Sequence, residues 1–188
     1  MRRTLAAGAA AALLAAAAIE IASAGTPAEG EPPGVDCGSR IQLTGGTAPQ
    51  PSREDLRLGA LYVSGLREFG RTEPPSRFEP EPGERYAFVK TAPVVDAGPA
   101  VTYSVGRADR RAMEIQVARF STPHARGDAV RLEPCDPDHQ VNGRPVGPRT
   151  PFVGGVMVTG PGCYTLRARP EGGEPVTRRV KLGVKNCG

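Results

Sequence analysis

The chain has no tryptophan, aromatic residues make up 5% of it, and its 188 residues include only two histidines and three methionines. A core without large rings must be built from Val, Leu, Ile and Ala with a few Phe and Tyr, which suits thin β layers. No Cys-x-x-Cys occurs, so a thioredoxin-like redox site or a zinc knuckle has no foundation. No serine stands in a Gly-x-Ser-x-Gly elbow, and two histidines leave few ways to orient a nucleophile. Neither Asn142 nor Asn186 lies in a glycosylation sequon. No pair of carboxylates is singled out by motif, so acid/base chemistry would have to be assembled by the fold. The sequence therefore predicts a protein that is not an enzyme and carries no cofactor.

What is present begins with an export signature. Met1-Arg2-Arg3 supplies positive charge, Leu5 to Ile19 is an uncharged run, and Ala22-Ser23-Ala24 has the small-x-small pattern that signal peptidase reads. The run of 15 residues is mostly alanine and falls short of a bilayer-spanning helix. The expectation is a signal peptide over 1–24, cleavage near Ala24, and a secreted or extracytoplasmic chain with no membrane span. No cysteine follows the run closely, which argues against a lipoprotein anchor, and Arg2-Arg3 leaves the export route open. Residues 25–36 are rich in Pro, Gly and Glu and lack periodicity, as in a disordered leader, which starts a single domain at Cys37 and runs it over 37–188.

Charge adds little. The chain carries 24 basic and 20 acidic residues, and its basic doublets, Arg110-Arg111 and Arg178-Arg179, are not interleaved with aromatics. Nucleic acid is accordingly not an expected partner. Four cysteines in an exported chain predict two disulfides with three possible connectivities. Cys163 opens one predicted strand and Cys187 follows the next, so a hairpin would bring them to one end. That geometry favours Cys163 with Cys187 and Cys37 with Cys135, leaving the other connectivities open.

Gly (24) and Pro (20) punctuate the chain into short elements. Strand-like runs recur over 40–44, 56–66, 85–91, 100–105, 113–118, 129–133, 152–159, 163–169 and 176–184. Alternation in Val101, Tyr103, Val105 and in Met113, Ile115, Val117 marks half-buried strands. Residues 106–111 (GRADRR) and 170–173 (PEGG) read as hairpin turns. Long loops are expected over 70–83, 120–127 and 136–151, and a bulge or sheet crossing at Gly154-Gly155. Helix is confined to a turn around 51–58, with Ser52 as cap and Asp55 at the third position. Strands without helical crossovers predict an all-β fold, an antiparallel two-sheet β-sandwich.

The turn and strand at Gly160-Pro161-Gly162-Cys163-Tyr164-Thr165-Leu166 resemble the closing hairpin of immunoglobulin-like domains. Phe152, Gly154, Gly155, Gly162, Cys163, Leu166 and Cys187 together resemble an arrangement in secreted or envelope-associated actinobacterial proteins of unknown function. The likeness spans roughly the last 60 residues, with an echo in Leu58-Gly59-Ala60-Leu61 and Lys90-Thr91. It implies export and an immunoglobulin-like sandwich, and no activity.

The densest polar cluster is Cys135-Asp136-Pro137-Asp138-His139 followed by Asn142-Gly143 and Arg144. Asp-Pro-Asp is ordinary turn chemistry, so Asp136, Asp138, His139, Asn142 and Arg144 are read as a binding loop on a non-catalytic module. The expected partner is a cell-wall polymer or an extracellular protein. The alternative is an exported metal-binding protein using His124, His139 and the nearby acids. A third reading, a hydrolase, requires two acids facing each other in a pocket.

Overall fold

Alternation decides which faces are buried. In Val101–Val105 and in Met113–Val117 every odd-numbered side chain is buried and every even one half-exposed, as a pleated strand over a core demands. The computed structural model describes residues 30–41, 48, 50–119 and 123–187, and the expected signal peptide lies outside them. Among the described residues the strands are β1 (Gly34–Val35), β2 (Leu56–Leu58), β3 (Leu61–Ser64), β4 (Ala87–Asp96), β5 (Val101–Val105), β6 (Met113–Val117), β7 (Ala125–Gly127), β8 (Ala129–Leu132), β9 (Gln140–Val141), β10 (Arg144–Pro145), β11 (Arg149–Pro151), β12 (Gly154–Val158), β13 (Gly162–Pro170) and β14 (Val176–Leu182), with one α-helix, α1 (Leu66–Thr72).

Two sheets carry the fold. One has the order β1-β8-β5-β13-β14, and the other β2-β3-β4-β12-β6-β7 with β11 also paired to β4. All these pairings are antiparallel except β1 with β8. The result is an all-β, antiparallel two-sheet sandwich. Its core draws on both sheets, with Leu58, Ile115, Leu132, Phe152, Leu166 and Leu182 fully buried. Burying each such side chain stabilises by roughly 1.5–3 kcal/mol. Tyr164 donates from its hydroxyl to the Gly160 carbonyl, the local tie by which immunoglobulin-like domains fix a corner.

Two disulfides staple the sandwich. Cys37 joins Cys135 with Cα atoms 4.8 Å apart, and Cys163 joins Cys187 at 5.7 Å. Such bonds belong to oxidising compartments, and among the described residues no helix is long and apolar enough to cross a membrane.

Several expectations change. Ordered structure starts before Cys37, because Gly34–Val35 pairs with Arg131–Leu132 and Val35 is 1% exposed. One apolar side chain in a polar leader is enough to anchor it once a sheet edge is available. The run 56–66 is two strands: Gly59, at φ 68, turns the chain between β2 and β3. Residues 106–111 form no hairpin, since β5 pairs with β13 and β8 while β6 pairs with β12 and β7. A 3₁₀ turn over Arg107–Asp109 instead carries the chain from one sheet to the other. It is held to β13 by the Gly106 N–H on the Thr165 carbonyl (2.7 Å) and by the Asp109 carboxylate accepting the Thr165 N–H (2.7 Å).

Gly154-Gly155 is neither bulge nor crossing. β12 keeps unbroken register with β4 and β6, and a Cβ there would lie 2.4 Å from the Gln116 carbonyl or 2.2 Å from the Val89 carbonyl. β11 and β12 run along β4 and part at Phe152, opposite Pro93, whose carbonyl accepts the Phe152 N–H (2.9 Å). Proline cannot return that bond, so the ladder breaks there.

Candidate functional site

The expected binding loop is a hairpin. Asp136 accepts the Asp138 N–H on its carboxylate (3.0 Å) and the His139 N–H on its carbonyl (3.0 Å), an Asx turn that starts the excursion. Asn142 at φ 51 and Gly143 at φ 73 then form a two-residue turn, with Arg144 opposite Val141 and Pro145 opposite Gln140. Positive φ at both positions is what the favoured hairpin turn requires. The base is fixed by the Cys37–Cys135 disulfide, by the Cys135 N–H on the hydroxyl of fully buried Thr150 (2.8 Å), and by Val146 and Gly147 donating to His139 and Pro137. Asp136, Asp138, His139, Asn142 and Arg144 are all exposed on it.

Those side chains do not converge. The Asp136 carboxylate is engaged by its own turn, and His124, also exposed, precedes β7 on a different element. Among the described residues, no group of three or more His, Cys, Asp or Glu comes together as a metal site.

A second site was not legible in the sequence. Ser52 and Asp55 make the reciprocal bonds of a capping box, Glu54 N–H to the Ser52 hydroxyl (3.1 Å) and Ser52 N–H to the Asp55 carboxylate (2.7 Å), yet they close one turn and no helix follows. The turn caps α1 instead. Buried Asp55 accepts the Gly65 N–H (2.7 Å), and the Glu54 carbonyl accepts the Arg67 N–H (3.0 Å) and the Glu68 N–H (3.3 Å), satisfying donors that a helix start leaves open. α1 then packs on β14 through Gly70, where a Cβ would lie 1.9 Å from the Lys181 carbonyl. Behind it Phe69 meets fully buried Phe78 edge-on, with centroids 5.8 Å apart, inside what the sequence marks as a loop.

Between α1 and β14 lies a groove of about 940 Å³. The helix side contributes Arg67, Glu68 and Arg71, the capping turn Arg53 and Glu54, and β14 with the chain after it Arg179, Lys181 and Lys185. A neighbouring depression of about 470 Å³ shares Arg67 and Arg179 and adds Arg57 and Arg178. Among the described residues eight cations thus line the two concavities with the carboxylates of Glu54, Glu68 and Glu73; Arg71 pairs with Glu68 (3.7 Å) and Arg57 with Asp96 (3.7 Å). The Glu68 carboxyl beside Glu54 favours its protonated form, as a hydrogen-bond partner and by charge repulsion, and raises the Glu54 carboxyl above its ordinary range. Lys181 donates to the Lys185 carbonyl (3.0 Å), and Cys163–Cys187 ties down the segment that follows. Of this groove's charge the sequence displays the doublet Arg178-Arg179, on the strand expected over 176–184.

A further cluster is closed on itself. The guanidiniums of Arg85 and Arg126 lie 5.0 and 5.3 Å from the Tyr86 ring centroid, and Arg126 pairs with Glu114. Burial pushes the Glu114 carboxyl up, but hydrogen bonds from Arg126 and Tyr86 and the charges of Arg126 and Arg85 outweigh it and hold the group below the usual range.

No protein-family model matches the chain, and no curated protein matches it. Among solved structures it is similar to the apo PCuAC domain of PmoF2, at 16% identity and a TM-score of 0.37 over 71% of this chain and 99% of that one. It is likewise similar to the copper-bound PCuAC domain from PmoF2, at 17% identity and a TM-score of 0.33 over 70% and 98%. A likeness of that distance assigns neither activity nor ligand.

Proposed function

We propose that this is an exported, non-catalytic binding module that meets an extracytoplasmic partner, a cell-wall polymer or another protein, through the β9–β10 hairpin. The observation that supports this is the hairpin itself. A stretch of exposed polar side chains stands on a base fixed by a disulfide and a buried threonine, so contact residues are held in place at little ordering cost on binding.

The test replaces residues 138–145 with a short Gly/Ser linker, keeping Cys135 and Thr150. The variant is expected to unfold at nearly the wild-type temperature and to lose co-sedimentation with isolated cell envelopes of the producing organism. Undiminished co-sedimentation would overturn the proposal.

A further inference from the structure

The hairpin leaves the groove between α1 and β14 without a role, and its chemistry is of another kind. We infer that this groove binds an acidic polysaccharide, whose carboxylates are held by the arginines and lysines of α1 and β14. The planar guanidinium fork matches a carboxylate with two parallel hydrogen bonds. Arg67 and Arg179 line both concavities, so the positive surface is a track along which successive acidic sugars fit.

The rest of the lining selects among polyanions. Glu54, Glu68 and Glu73 lie within the same groove. They accept hydrogen bonds from sugar hydroxyls, which an acidic glycan presents beside each carboxylate. Among the described residues no aromatic lines either concavity, so bases have nothing there to stack on and single-stranded nucleic acid is disfavoured. A lipid surface would call for apolar side chains to insert. Among the described residues the exposed large hydrophobics are Phe88, on β4, and Val153, in the link between β11 and β12, and neither lines the groove.

The walls are built before any ligand arrives. Gly70 lets α1 sit directly on the β14 backbone, and the Gly183 N–H bonds the Gly70 carbonyl (3.3 Å). Little ordering remains for binding to oppose.

The experiment measures binding of a fluorescent oligogalacturonate to the full mature chain by anisotropy. The wild type is expected to bind at low salt and to lose most affinity by about 0.5 M NaCl, as screening of exposed charges requires. Charge reversal of Arg67 and Arg179 to Glu together should weaken binding by about tenfold or more. If that pair fails to fold, Arg71→Glu with Lys185→Glu replaces it. Methyl-esterified oligogalacturonate, with the same backbone and no charge, should not bind. The variant lacking residues 138–145 should bind as the wild type does, which separates failure here from failure of the hairpin proposal. The inference is overturned if charge reversal leaves affinity unchanged, if the esterified sugar binds equally, or if single-stranded DNA or anionic phospholipid vesicles bind more tightly than the acidic sugar.

Discussion

The hairpin at residues 136–147 and the groove between α1 and β14 are both polar surfaces held by a disulfide, yet they are made in opposite ways. The hairpin is local. Its turn, its Asx start and its rung bonds all join residues within about ten positions of one another, a reach typical of hairpin loops. The groove takes its capping turn from residues 52–55, its helix from 66–72 and its far wall from 176–185, elements that meet only after the sheets have formed. A local device survives loss of its surroundings better than an assembled one, and the two regions can be set against each other by experiment.

The largest effect is expected from the staples. In the chain-entropy model, opening Cys37–Cys135, separated by 98 residues, costs about 5 kcal/mol, and opening Cys163–Cys187, separated by 24, costs about 3 kcal/mol. Denaturant titration of Cys37→Ser/Cys135→Ser and of Cys163→Ser/Cys187→Ser should rank them in that order. Only the second pair should also weaken oligogalacturonate binding, because it frees the segment carrying Lys185.

Next comes glycine chemistry, where the contrast is sharpest. Gly70→Ala puts a Cβ against the Lys181 backbone, which cannot yield, and should cost about 3 kcal/mol and the groove with it. Gly143→Ala meets nothing within 4 Å and carries only the penalty of φ 73 on a residue with a side chain, about 1 kcal/mol. Equal costs by chemical denaturation would erase the distinction between a local and an assembled site.

The smallest effect concerns Glu54, faced by Glu68 from α1 and by Arg53 and Asp55 on its own turn. Its raised carboxyl means the folded chain holds that proton more tightly than the unfolded one. The associated stability is present in acid and is lost as pH rises through the folded pKa. Glu54→Gln should therefore raise the unfolding temperature slightly at neutral pH and leave it unchanged in acid. A rise of the same size at both pH values would show that the Glu68 contact does not act through charge.

The same contrast explains what could be read in advance. Asn142-Gly143 is a hairpin signal in two residues, and it lay inside a stretch read as loop because the flanking strands are only two residues each. α1 gave no signal. Leu66–Thr72 contains a glycine at its centre, begins at Gly65 in the left-handed region with no side-chain cap, and takes its capping carbonyl from Glu54, twelve positions upstream. The capping box at Ser52 and Asp55 was legible as chemistry and misleading as structure, since its bonds formed and the helix they usually introduce did not.

The sequence by itself determined the class of fold and the buried faces, because the period-2 alternation of Val101, Tyr103, Val105 and of Met113, Ile115, Val117 is a property of the strand alone. Only the tertiary structure decided that β5 and β6 join different sheets, that Val35 enters the core, and that arginines far apart in the chain line one groove. Alternation states that a face is apolar without naming the face it meets. Partner choice depends on closing long loops and matching surfaces, and those energies are not written in any one segment.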